Sequence, residues 1–153
     1  METVLSQLIL EECEVPSTLI FALGSTAREF FENDLTSSAG TMSSVRAVVN
    51  AQQHIKVLFL NKLQYLYMYL TKFEVEDGEG KLTFKNLIIF GLDESLGLSD
   101  DQLAWPQVRL SNLIYNLAFK IKSRYQVEVH FVPSGDLPCD ALNQMEQYWR
   151  EVC

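Results

Sequence analysis

Residues 18–29 read Thr18-Leu19-Ile20-Phe21-Ala22-Leu23-Gly24-Ser25-Thr26-Ala27-Arg28-Glu29. A short apolar run rich in strand formers is ended by a glycine, and Thr26 and Glu29 follow at capping-box spacing. The pattern predicts a strand turning into a helix. Ile55 to Leu60 repeats the unit: the run is continuously apolar after Lys56, and Asn61 can cap a helix reaching Phe73. Asn86 to Gly91, with Leu87-Ile88-Ile89-Phe90 inside it, reads as a third strand buried on both faces.

Asp77-Gly78-Glu79-Gly80-Lys81 joins charge to glycine and reads as an exposed turn. Ser99 to Gln102 can cap a helical stretch interrupted or restarted at Pro106. Within it Leu110, Leu113, Ile114, Leu117 and Ile121 recur at helical spacing toward a basic end, Lys120, Lys122 and Arg124. Val127, Val129 and Phe131 alternate with Glu128 and His130 as in a half-buried strand, which Pro133 and Gly135 stop. Leu142, Met145, Trp149 and Val152 outline a closing helix. Four strand-to-helix units predict one α/β domain over residues 1–153, a mostly parallel sheet with helices on both faces and right-handed crossovers. Ligands in such sheets bind beyond the carboxyl ends of the strands. The segments of interest are therefore Leu23 to Arg28, Asn61 to Lys62, Gly91 to Ser95 and Val132 to Gly135.

The chain has 153 residues and a net charge of −8, which disfavours sequence-independent attraction to nucleic acid or anionic lipid. Cys13, Cys139 and Cys153 are odd in number and lack C-x-x-C spacing, so neither a closed disulfide framework nor a zinc site follows, and a reducing compartment is the simpler expectation. Met1-Glu2-Thr3 and Glu11-Glu12 do not resemble a secretory signal, and the apolar runs are too short to span a bilayer.

Gly24 to Arg28 has neither G-x-x-x-x-G-K-[ST] nor G-x-G-x-x-G, so the backbone cradle that would hold a nucleotide's phosphates is missing. Gly80-Lys81 precedes Leu82 within the polar turn and is a decoy. Asp93 and Glu94 end the third strand as acids that hold Mg²⁺ and water do in P-loop enzymes. They support an alternative reading, a divergent Mg-dependent NTPase or phosphate-ester hydrolase, but no phosphate cradle stands opposite and a solvated polar loop is the favoured reading of the pair. His54 leads into one strand and His130 points outward on another, with no nucleophile elbow near either. Cys139 has no local histidine.

Leu63-Gln64-Tyr65-Leu66-Tyr67-Met68-Tyr69-Leu70-Thr71-Lys72-Phe73 is different. Leu63, Leu66, Tyr67, Leu70 and Phe73 make one helical stripe, enough to face a sheet, and Tyr65, Met68 and Tyr69 project elsewhere. Such a helix is covered on two sides, by a neighbouring helix or by another chain. Lys120, Lys122 and Arg124 read as favourable charge at a helix C-terminus; a weaker reading adds Arg46 and makes them a DNA contact.

Leu23-Gly24-Ser25-Thr26-Ala27-Arg28-Glu29, Val57 to Leu60 running into Tyr65-Leu66-Tyr67-Met68-Tyr69-Leu70-Thr71, Asn86 to Leu92, and Tyr148-Trp149 together resemble the smallest subunit of the fungal Shu complex, named for suppression of hydroxyurea sensitivity. The tyrosine string is the specific element. The resemblance implies a RecA-like ATPase core that has lost its phosphate-binding loop, a recombinase paralogue without catalysis or cofactor. It implies a nuclear assembly subunit that supports recombinase filaments in homologous recombination and error-free DNA damage tolerance. Such a subunit would link a SWIM zinc-binding partner to the paralogues that contact DNA, forming a hetero-oligomer that touches DNA only through partners and no membrane. Tyr65, Met68 and Tyr69, with Tyr148 and Trp149 as a second patch, are the expected interface residues.

Overall fold

The computed structural model describes residues 1, 4, 17–34, 53–75, 82–97, 103–135 and 140–153. Among these, four strands form one all-parallel sheet in the order β2-β1-β3-β4: β1 Thr18–Leu23, β2 Ile55–Leu60, β3 Asn86–Phe90 and β4 Glu128–Val132. β1 is central and all six of its residues are buried. Leu19 stands opposite Lys56 on one side and Leu87 on the other. The α/β class and the strands expected from sequence are present.

The helices are α1 Gly24–Glu29, continued by a π-helical turn Phe30–Asp34, α2 Leu63–Val75, the single turn α3 Leu92–Ser95, α4 Trp105–Tyr125 and α5 Asp140–Val152. The chain moves one way along the sheet from β1 to β2, then the opposite way from β2 to β3 and from β3 to β4. A right-handed crossover puts its connection on a face that depends on this direction, so the first connection and the later ones fall on opposite faces. The core divides accordingly. Leu19, Phe21, Leu23, Leu87, Ile89 and Val129 pack beneath α2, α4 and α5. Ile20, Ala22, Ile88 and Phe90 point the other way, where Phe30 and Phe31 of the π-helical turn cover them. Both faces are thus clad, one by three long helices and the other by the α1 segment.

Two local expectations are corrected. Thr26 does not cap the first helix: α1 begins at Gly24, which puts Thr26 and Glu29 inside it, because its N-terminal donors find an acceptor elsewhere in the chain. On α2, Leu63, Leu66 and Leu70 are buried as expected, but Tyr67 is exposed and Tyr69 turns toward the sheet, its ring 5.5 Å from that of Phe21 and 6.5 Å from that of Phe73. The closing helix outlined by Leu142, Met145, Trp149 and Val152 is present as α5; Leu142 is buried, Met145 and Trp149 pack on the core, and Val152 is exposed. Pro106 sits in the first turn of α4, where its missing N–H has no intrahelical partner to lose. Ala104 N–H there donates to Gln107 Oε1 at 2.6 Å. The polar turn at 77–81, the Ser99–Gln102 cap, Arg46, Cys13 and Cys139 lie outside the described residues.

Candidate functional site

β1 connects toward β2 while β3 connects toward β4, so the carboxyl ends of β1 and β3 flank the point where the winding reverses, the usual ligand position in an open parallel sheet. Both strands end in a left-handed glycine, Gly24 at φ 81° and Gly91 at φ 85°. The backbones approach so closely that a Cβ on Gly91 would lie 2.3 Å from the Leu23 carbonyl oxygen, and one on Gly24 would meet the Glu94 carboxyl at 2.8 Å.

The position at which a nucleotide-binding α/β protein would seat phosphate against the first helix carries the chain's own carboxylate. Glu94 Oε1 accepts from the Ser25 backbone N–H at 3.0 Å and from its hydroxyl at 2.6 Å, and Oε2 accepts from Thr26 N–H at 3.1 Å. Free N–H groups at a helix start carry partial positive charge, so an anion is stabilised there. Burial alone would raise the Glu94 carboxyl, but these hydrogen bonds outweigh it and hold the group below the ordinary carboxylate value. Asp93 faces the opposite neighbour. Its carboxylate accepts from the Ser134 N–H at 2.9 Å, the Ser134 hydroxyl at 2.9 Å and the Gly135 N–H at 3.3 Å.

The two acids after β3 therefore tie β3 to the start of α1 after β1 and to the loop after β4. Three of the four segments singled out in the sequence meet here, and the fourth, Asn61 and Lys62, lines a neighbouring open groove of ≈ 570 Å³ with Glu94 and Gln107. The alternative reading of Asp93 and Glu94 as Mg²⁺ ligands requires both carboxylates to leave protein donors that already engage them. No group of three His, Cys, Asp or Glu side chains suited to a metal occurs among the described residues. His54 precedes β2 and His130 is exposed on β4, at opposite edges of the sheet, so they do not converge. Ser134 and Gly135 as the partners of Asp93 were not foreseeable individually, although the segment was.

The basic cluster also has internal partners. Lys120 pairs with Glu74 at 3.3 Å, Lys122 with Glu128 at 3.2 Å, and Arg124 donates to the Glu74 carbonyl at 2.8 Å, closing the C-terminal end of α2. Exposed pairs of this kind contribute about 0–1 kcal/mol each, but they give Lys120 and Lys122, two of the four bases of the DNA reading, carboxylate partners within the chain.

Apolar exposure is concentrated on the helical layer. α2 and α5 pack against α4, with α2 toward β2 and α5 toward the β4 side, where Arg150 lies over the Phe119 ring and Leu142 borders Phe131 and Val132. On α2, Tyr65 is 48% and Met68 56% exposed, whereas Tyr69 belongs partly to the core. On α5, Tyr148 is 57% exposed and stacks edgewise on Trp149, which is half-buried and donates to Asn112 Oδ1 at 3.0 Å. A shallow groove lined by Leu103, Val108, Met145 and Tyr148 runs between α4 and α5. Trp105, the first residue of α4, is 81% exposed, an apolar residue the sequence reading did not single out. No helix among the described residues is long and apolar enough to cross a membrane.

Residues 2–153 match the family described as Suppressor of HU sensitivity involved in recombination protein 1. The Saccharomyces cerevisiae protein of that name is 26% identical over 137 residues, which span 90% of this chain and 85% of the yeast protein. The family match runs through the C-terminal third, where the residues quoted for the resemblance were only Tyr148 and Trp149. The chain belongs to the Suppressor of HU sensitivity involved in recombination protein 1 family.

Proposed function

We propose that this protein is a non-enzymatic assembly subunit in recombination-linked DNA damage tolerance, holding two partners in a fixed relative geometry. Its family and the name of the yeast relative support the recombination context. The observation that carries the assembly role is the separation of its exposed aromatic surfaces: Tyr65 and Met68 on α2 and Tyr148 on α5 lie on helices that pack α4 from different sides. A rigid layer with a docking face at each end raises the effective concentration of one partner near the other without moving parts.

The partners are a SWIM-containing subunit and recombinase-paralogue subunits, with DNA reached through them in the nucleus. The reading of the domain as a reduced RecA-like core rests on the same resemblance, and the acid-ended third strand beside a first turn without a phosphate loop supports it. Tyr69 and Trp149 contribute by positioning the exposed rings beside them, since both also pack on the core. Coexpression with those subunits followed by size exclusion and light scattering tests the proposal. Tyr65→Ser with Met68→Ser should release one partner and Tyr148→Ser the other, with circular dichroism unchanged. Retention of both partners by both variants would overturn it.

A further inference from the structure

The α2 face has an unusual charge for this chain. No Asp or Glu occurs between Asp34 and Glu74, whereas that span holds Arg46, Lys56, Lys62 and Lys72; the rest of the sequence carries all twenty acids and eight bases. Glu74, the first acid to follow, is turned toward Lys120. Lys56, Lys62 and Lys72 are exposed and have no ion-pair partner among the described residues, unlike Lys120, Lys122 and Arg150, which pair with Glu74, Glu128 and Glu146. At about 100° per residue, Tyr65, Met68, Lys72 and Val75 fall within an arc of roughly 80° on the side of α2 away from the sheet. Lys62 lies one turn before Tyr65. Along the chain the exposed apolar pair Tyr65 and Met68 is thus bracketed by the ammonium groups of Lys62 and Lys72, as in a protein interface whose lysines stand beside its apolar contacts.

We infer that this face docks an acidic amphipathic segment of a protein partner, with carboxylates reaching Lys62, immediately before the helix, and Lys72 within it, and an apolar side chain between them resting on Tyr65 and Met68. The inference rests on the reading of this face as an interface and adds the chemistry of its occupant. Charge complementarity selects an acidic segment. A short acidic segment meets the local positive field, whereas a polyanionic strand also meets the negative remainder of the molecule. Single-strand binding further uses successive aromatic platforms, and between these lysines only Tyr65 offers an exposed ring face in line with them.

The test uses the full chain coexpressed with its partners, comparing Lys62→Glu with Lys72→Glu, Lys62→Arg with Lys72→Arg, and Tyr65→Ser with Met68→Ser, at 50 and 300 mM NaCl. The glutamate pair should weaken capture of one partner at least tenfold at low salt and remove most of its salt dependence, while the arginine pair retains both. Loss of capture in the Ser pair with none in the glutamate pair would leave the interface reading standing and overturn the acidic occupant. No loss in either would overturn both. A thirty-nucleotide oligo(dT) probe that bound the isolated chain with steep salt dependence, abolished in the glutamate pair, would replace the protein segment with nucleic acid and overturn the inference.

Discussion

The Glu94 carboxylate lies 2.6 Å from the Ser25 hydroxyl and 3.0 Å from the Ser25 backbone N–H, although 69 residues separate the two in sequence. The cap of the first helix is therefore a tertiary contact. Replacing Glu94 by Gln should lower stability by about 1 kcal/mol, the usual worth of a cap, seen as a lower urea midpoint with an unchanged slope. The pH dependence has a definite sign. A carboxyl held below its ordinary value in the folded state contributes stability that is fully present above the unfolded value and is lost as pH falls through the lowered folded one. Thermal melts of the two proteins should thus differ most near neutrality and converge as the pH drops below the ordinary carboxylate range.

Gly91 and Gly97 both have positive φ, at 85° and 67°, but only Gly91 is hemmed in by backbone. Gly97→Ala meets nothing within 4 Å and should cost roughly 1–2 kcal/mol from left-handed strain alone. Gly91→Ala adds a clash with the Leu23 carbonyl and should fail to give a cooperative unfolding transition. Equal melting temperatures for the two variants would contradict the close approach of β1 and β3.

Tyr65 and Tyr69 are one helical turn apart and differ in kind. Tyr69→Ala removes a ring in contact with Phe21 and should destabilise the chain by about 2 kcal/mol or more. Tyr65→Ser should stay within about 0.5 kcal/mol of the parent, as exposed substitutions do. Chemical denaturation of the isolated chain distinguishes them.

Gln126 ends α4 at φ 55°, the conformation a glycine adopts without penalty. Gln126→Gly should raise stability by up to about 1 kcal/mol, the relief of left-handed strain exceeding the entropy of the added glycine. A higher melting temperature is the expected readout.

The strands were legible because a run such as Leu87 to Phe90 has one physical outlet, burial on both faces of a sheet. The site was legible as four strand ends, but its bonds were not. Nothing near Ser25 announces that Glu94 will cap it, and nothing near Asp93 announces Ser134. The exchange of Tyr67 and Tyr69 has a geometric cause: at about 100° per residue the two flank the Leu66–Leu70 line at nearly equal angles on opposite sides. Only the positions of Phe21 and Phe73 decide which ring is drawn in.

The central position of β1 also bears on how the chain is made. Among the described strands Thr18 to Leu23 leaves the ribosome first, yet both of its neighbours come later, at residues 55–60 and 86–90. At about 5–20 residues per second, roughly 3 to 13 s pass before the second neighbour is synthesised. Throughout that interval an uncharged six-residue segment of high strand propensity, free of proline and glycine, lacks at least one of its two sheet partners, and such a segment has the sequence signature of cross-β self-association. Nascent chains of this protein thus place their greatest demand on holding chaperones during synthesis itself, and slower elongation between residues 23 and 90 lengthens the exposure.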